Sequence, residues 1–429
     1  MRKLAEQVFT VCMLFYTTAA FSTLIAGNTD PLSRPEGNAV FIGIQVGLYS
    51  VACFFIVTRW QPFLQGALAI KWIAPLLLLA LASSIWSQDP ALTLRRSILL
   101  VATTAFGVYF ATRFEPSEQL RLLAWTLGIT VCLSLLAGIL IREYGVDASR
   151  HSGDWQGVFS QKNGLARAMV LSVLVFLFAR KGFNRWLRWL GLSASLGLLF
   201  LSHSLSGAMI LVLMLGAIPL VRFLRTRVTF AIPVGLSLCA VFLALIHFLT
   251  PSIPALLEFA NRDSTLTGRT ELWSALLPSA AKRPLLGYGF DAFWLGMKCE
   301  SANILLTVGW PATHAHNGFL DLWLDLGGIG VALFLAAYLL LWRRAVRVLR
   351  SSPGPTAVWL CIYLIFMLLY NLPESALLRE NTIFWVLYTA TAVNLYLYEL
   401  PFATTSEVVY NHDSQSNLDY LPGRVARYV

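Results

Sequence analysis

The chain is a succession of apolar runs, many of about 18–24 residues, in which hydrophobic side chains surround the whole segment instead of lining one face. At a rise of about 1.5 Å per residue, a helix of that length crosses the hydrocarbon of a bilayer. A soluble helix keeps a polar face, and the strand of a membrane barrel alternates apolar with polar residues; these runs do neither. Of 429 residues, 57% are hydrophobic and 13% charged, with a mean hydropathy of +0.67. That leaves too little polar surface for a soluble globular enzyme. The sequence predicts an all-α integral membrane protein.

About twelve spans are predicted. They run Leu4–Ala26, Ala39–Thr58, Trp72–Trp86 (with an extended start near Gly66), Ser97–Thr112, Leu120–Ile141, Leu165–Ala179, Leu187–Leu201, Ser206–Val221, Val228–Leu249, Gly318–Trp342, Ala357–Tyr370 and Ile383–Leu400. The basic start Met1-Arg2-Lys3 followed by an apolar run is read as a retained first span. The expected organisation is residues 1–249 as nine spans, 250–317 as a long extracytoplasmic loop with partial helices, 318–400 as three spans and 401–429 as a cytoplasmic tail. No nucleotide-binding glycine loop and no internal repeat is evident.

Positive charge orients the chain. Arg59 and Lys71, Arg113 and Arg121, Arg180 to Arg188, Arg222 to Arg227, and Arg343 to Arg350 fall in alternate connections, on the same side as Arg2 and Lys3. The positive-inside rule makes that side cytoplasmic. The net charge of +10 is therefore mostly a topology signal and a contact with membrane lipids, not a nucleic-acid surface. Five of the six cysteines lie inside expected spans and only Cys299 lies outside, so no intramolecular disulfide is expected.

The chemistry-bearing residues gather on the opposite, outer side. His314 and His316 stand in Thr313-His314-Ala315-His316-Asn317-Gly318, just before an apolar span. Imidazole accepts a proton near neutral pH, so the pair can do base work. It can equally anchor a helix end at the headgroups or contribute part of a metal shell that no nearby cluster completes. Arg269 opens an amphipathic helix, where free N–H groups and a guanidinium suit a phosphate; an ion pair with Glu271 or another carboxylate is the plainer alternative. Arg95, Arg96, Arg150, Lys162, Arg167, Lys282 and Arg283 add positive charge on this side. Asp321 and Asp325 continue the stripe from Asn317 at helical spacing. Asp321 could hold a catalytic imidazole in one tautomer, but reads more simply as an ordinary first-turn acid, and Asp325 stays open.

His316-Asn317, then nine residues, then Gly327-Gly328-Ile329-Gly330 resembles the signature of the bacterial O-antigen ligase and polysaccharide polymerase superfamily (Wzy-type). Gly268-Arg269-Thr270 with Leu272-Trp273, and Arg283-Pro284-Leu285-Leu286-Gly287-Tyr288-Gly289, resemble its long outer loop. Trp86 to Pro90 with Leu94 to Ser97, and Gly157 to Asn163, resemble its earlier loop motifs. The turn Ser202-His203-Ser204-Leu205-Ser206 departs from the pattern by lacking an Arg. The run from His314 to Asp321 is most similar to the exopolysaccharide-polymerase branch.

The resemblance implies a glycosyltransferase-C-like membrane fold in the bacterial inner (cytoplasmic) membrane, with the active site facing the periplasm. It implies transfer of a glycan from undecaprenyl diphosphate to a glycan acceptor hydroxyl, without metal or cofactor. In that scheme His316 is the base, Arg269 the diphosphate partner, and His314 and Asn317 position the acceptor or the base. Lys162 and Arg167 are further diphosphate contacts, and Gly327, Gly328 and Gly330 allow close helix packing. Other polysaccharide assembly proteins are expected partners, nucleic acid is not. Polymerase, O-antigen ligase and protein-directed transferase share this donor chemistry. A transporter or flippase is the alternative of a different class, and it should carry ionisable or broken helices near the midplane.

Overall fold

Caps and prolines set where the helices begin. Pro90, Pro116 and Pro355 sit in first turns, where a missing N–H costs nothing. Asp89 and Asn184 accept hydrogen bonds from first-turn amides. The computed structural model describes residues 2–20, 39–147, 153–226, 268–352 and 354–399. The expected ninth span Val228–Leu249, residues 250–267, Arg150 and the tail 401–429 lie outside these.

The helices are α1 (Arg2–Thr17), α2 (Ala39–Thr58), α3 (Trp60–Ala69), α4 (Ala74–Ala82), α5 (Pro90–Arg113), α6 (Pro116–Leu140), α7 (Lys162–Phe178), α8 (Arg185–Leu201), α9 (Leu205–Thr226), α10 (Arg269–Lys282), α11 (Cys299–Val308), α12 (Gly318–Ser351), α13 (Pro355–Tyr370) and α14 (Ile383–Glu399). Among the described residues β-pairing is limited to one isolated bridge, Val146 to Trp155. The chain is an all-helical, multi-pass membrane protein.

Among the described residues, five helices are long and apolar enough to cross a membrane: α2, α5, α6, α9 over Leu205–Phe223, and α12. A sixth span arises if α3 and the stretch Ala74–Ile85 count as one, but these meet at 90°. The expected continuous span Trp72–Trp86 is therefore the second arm of a broken unit. Pro75 lies in the first turn of α4, where it starts a new helix instead of continuing the old one. The other expected spans are helical where described, although α1, α7, α8, α13 and α14 have only 16 or 17 residues. The expected first span Leu4–Ala26 is helical only to Thr17, with residues 21–26 outside the described residues. Twelve spans are thus an expectation that the described residues carry only to five or six.

Surface and core agree with a lipid setting. Only 11% of the α2 span is buried against the rest of the chain, leaving Val40, Val46, Phe54 and Val57 exposed. In hydrocarbon such a face carries no penalty, because its backbone is satisfied within the helix. α14 is the opposite case, buried without a break from Ile383 to Leu395. A separate small core beneath the outer segment joins Leu272, Leu276, Tyr288, Phe293, Trp294 and Leu324.

α12 determines how the site is presented. It has 34 residues and breaks at Gly327, where φ is 67° and ψ −171°. The break exposes backbone groups that the segment 284–289 takes up. Tyr288 and Gly289 donate to the carbonyls of Leu324 and Asp325 (2.8 and 3.0 Å), while Gly328 donates to Pro284 (2.7 Å). A Cβ on Gly327 would stand 2.1 Å from the Leu285 carbonyl. This glycine therefore admits a loop backbone, not the neighbouring helix expected from the glycine-rich pattern. The Trp86 motif closes the same joint: Trp86 Nε1 donates to Leu286 and the Gln88 amide to Tyr288, each at 3.0 Å. Arg343, Arg344, Arg347 and Arg350 lie on the last turns of α12 and not in a loop, with Arg347 paired to Glu399 at 2.6 Å. Between Gly328 and Arg343 the helix rises about 22 Å, so the basic cluster and the turn that carries His314 and His316 sit at opposite ends.

Candidate active site

His314 and His316 belong to the turn that feeds α12. Asn317 caps that helix, its Oδ1 accepting from the Phe319 and Leu320 amides at 3.0 and 3.1 Å. The expected acceptor-positioning amide is thus committed through its oxygen to the helix start. Gly318 donates its N–H toward the carbonyls of Asn371 (2.8 Å) and Glu374 (3.0 Å). A Cβ there would meet the Asn371 side chain at 2.3 Å, so the glycine lets the 371–376 loop close onto the turn.

Asp321 holds the turn from inside. Its carboxylate accepts the Ala315 amide at 3.0 and 3.1 Å, Trp294 Nε1 at 2.8 Å and the Ser375 hydroxyl. Trp273 Nε1 on α10 donates to the Ala315 carbonyl at 2.8 Å. The residue between the two histidines is thereby fixed on both sides. Asp321 is 3% exposed, so the reading of it as an ordinary first-turn acid is corrected: it organises the turn. His316 itself adopts φ 49°, a left-handed conformation that a non-glycine residue takes only when its surroundings impose it.

Both imidazoles turn toward Glu374, a residue the sequence reading did not single out. His314 Nε2 lies 3.4 Å from its Oε2, and His316 Nδ1 lies 3.3 Å from the same oxygen. Arg269 donates to Oε1 at 2.8 Å and Asn163 Nδ2 to the same oxygen at 3.0 Å. The carboxylate side chain is only 6% exposed. Arg269 is the first residue of α10, as expected, and the carboxylate it pairs with lies 105 residues away. Burial opposes charge on Glu374, but the hydrogen bonds from His314 and His316 outweigh it and hold the carboxyl well below its ordinary range. For His314, burial and the neighbouring His316 depress the pKa and favour the neutral ring, against the pull of Glu374 and Asp321.

The other expected contacts lie around this centre. Lys162 pairs with Asp154 at 2.7 Å, and His203 Nδ1 reaches the same carboxylate at 2.6 Å. The two lysine-side and histidine-side clusters are joined by Asn163, which accepts from Ser204 at 3.0 Å while donating to Glu374. The His203 turn, which departs from the family pattern, therefore touches the site's edge. Arg167 donates to the Ser375 carbonyl at 3.3 Å and lies over the rings of Phe384 and Tyr370, supporting the 371–376 loop. Several outer cations are consumed structurally. Arg96 pairs with Asp291 at 3.0 Å and Lys282 with Glu300 at 2.5 Å. Arg379 is partly buried, and Asp291, Asp321, Asp325 and Glu380 outweigh the resulting loss of hydration and keep it charged.

His314, His316 and Glu374 also place three donor atoms within 4.8 Å of one another, the one such trio among the described residues. Two imidazoles and a carboxylate suit a divalent cation in type. The Arg269 guanidinium on the same carboxylate opposes it, since a second cation would be held beside the first. Chelation tests whether the trio is a charge network or a metal site.

A comparison with known families covers part of this site. The family model described as O-antigen ligase matches residues 190–335, a stretch containing Arg269, His314, His316 and the Gly327 break. The exopolysaccharide production protein ExoQ of Rhizobium meliloti (strain 1021) is 26% identical over 297 residues, covering 65% of this chain. The match spans 66% of that relative's length. The resemblance drawn from the motifs is borne out as a likeness: residues 190–335 match the O-antigen ligase family model, in a membrane protein distantly similar to an exopolysaccharide production protein.

Proposed function

We propose that this protein is a metal-independent glycosyltransferase of the bacterial inner membrane, with its active site on the periplasmic side. It transfers a glycan from undecaprenyl diphosphate to a sugar hydroxyl and polymerises lipid-linked repeat units of an exopolysaccharide. The observation that supports this best is the convergence of Arg269, His314 and His316 on one buried carboxylate at the outer end of α12. His316 Nδ1 faces Glu374, so Nε2 is the nitrogen left to take a proton. The acceptor oxygen bonds to the anomeric carbon while the bond from that carbon to the diphosphate oxygen breaks. The electron pair stays on the diphosphate, and the hydroxyl proton passes to Nε2. Arg269 binds the leaving diphosphate and offsets the charge that grows on it. Lys162, and Arg167 across the 371–376 loop, line the approach of the same anion.

The polymerase branch is favoured by the name of the exopolysaccharide relative. The family model's own description, O-antigen ligase, favours the second reading, in which a finished chain passes to a lipid A core. Purified protein given a synthetic undecaprenyl diphosphate repeat unit and no other acceptor decides between them. A polymerase releases undecaprenyl diphosphate and makes a ladder of longer chains. A ligase does neither until its core acceptor is added.

A further inference from the structure

The four partners of Glu374 are held unequally. Arg269 and Asn163 make hydrogen bonds of 2.8 and 3.0 Å to Oε1, while the two imidazoles stand off at 3.3–3.4 Å. Arg269 thus holds the carboxylate more tightly than His316 does, although His316 is the group placed to act as base. A diphosphate that engages Arg269 competes with Glu374 for one cation, because both anions are drawn to the same single charge and the guanidinium moves toward the more highly charged of them. Contacts to a general base are often long before substrate is bound and tighten in the reacting complex.

We propose that Glu374 is a positioning residue that exchanges partners: Arg269 is drawn from it to the donor diphosphate, and the released carboxylate closes on His316 Nδ1–H, aiming Nε2 at the acceptor hydroxyl. Donor binding and base orientation are thereby coupled through one carboxylate. This rests on the roles given above to His316 and Arg269. The surroundings permit the exchange. Asn163 keeps the carboxylate in place from α7, and Gly318 holds the Glu374 backbone from α12. Asp321 fixes the Ala315 amide and so the backbone beside His316. The other charged groups nearby have their own contacts: Arg167 with Ser375, and Arg379 with Asp291. His314 has a second contact at Nδ1, 3.1 Å from the Thr313 hydroxyl, and can remain where it is.

The test is Glu374→Gln, which keeps the shape and removes the charge. Partner exchange predicts that kcat falls by up to about 10⁴-fold, as when the carboxylate that orients a catalytic imidazole is replaced by its amide. It also predicts that KM for the lipid-linked donor falls, because the diphosphate no longer competes for Arg269. A purely structural role lowers activity without lowering KM. Unchanged kcat, or a raised KM, overturns the proposal. Nitrogen-15 NMR of histidine-labelled wild-type protein in nanodiscs covers the case in which the variant does not fold, with His316 assigned by His316→Gln. Added undecaprenyl diphosphate should strengthen the Nδ1–H hydrogen bond of His316 and leave Nε2 unprotonated. No response, or an Nε2–H ring, overturns it. If His316→Ala still transfers glycan, the reading of the site fails. If His316→Ala is inactive and Glu374→Gln behaves as wild type, only the exchange fails.

Discussion

Glu374 carries one negative charge and faces a guanidinium and two imidazoles, so it cannot compensate three cations at once. Burial and the adjacent ring favour a neutral His314, which leaves Arg269 as the fixed charge beside the carboxylate and His316 as the ring proposed above as the base. Replacing either reacting group should therefore abolish transfer while the protein still inserts and folds. His316→Ala should cost about 10²–10⁴-fold in kcat. Arg269→Ala should be similarly inactive, and Arg269→Lys should recover only part, since a point charge cannot replace the bidentate fork. Turnover of lipid-linked substrate by protein purified from membranes measures all three. EDTA should leave the wild-type rate unchanged. Loss of activity restored by one divalent ion would instead make His314, His316 and Glu374 a metal centre.

The helices were legible from apolar runs, because hydrocarbon demands a continuous apolar segment and the start of a span shows where that demand begins. Arg269, His314 and His316 were legible because each stands at a helix boundary with an unusual side chain. Glu374 was not. It is one acid in the short polar stretch Asn371–Glu380, read as a connection, and nothing local indicates that Arg269 will fold onto it from 105 residues away. Asp321 was misread for the same reason: its partners Ala315, Trp294 and Ser375 come from a turn and two distant loops. The Gly327 break was visible only as a small-residue cluster. Its structural demand can be measured directly. Gly327→Ala adds about 1–3 kcal/mol of backbone strain, and its Cβ collides with the Leu285 carbonyl, displacing the 284–289 segment that props the outer core. Thermal unfolding in detergent should show a large loss of stability. Gly216→Ala on α9, where a Cβ meets nothing within 4 Å, should be close to neutral.

The proposed reaction needs an orientation: the lipid-linked donor is presented at the outer leaflet, so the Arg269 and His316 end of α12 must face away from the cytoplasm. One helix carries both markers. Its first turn is capped beside His316, and its last turns carry Arg343, Arg344, Arg347 and Arg350. The positive-inside rule assigns that basic end to the cytoplasm, and α12 taken as a whole is long and apolar enough to cross a membrane. The protein contains its own probe for this. Cys299 at the start of α11 is exposed and lies outside the expected spans, whereas Cys12, Cys53 and Cys132 lie on helices within the expected spans. A maleimide that cannot cross the inner membrane should label wild-type protein in spheroplasts, and Cys299→Ser should remove that label because thiols facing lipid do not ionise and react. Arg350→Cys, built on Cys299→Ser, should be labelled only after the membrane is permeabilised. The reverse pattern, with Cys at 350 labelled in intact spheroplasts and Cys299 protected, would put the site on the cytoplasmic side and remove the route by which an outer-leaflet donor reaches Arg269.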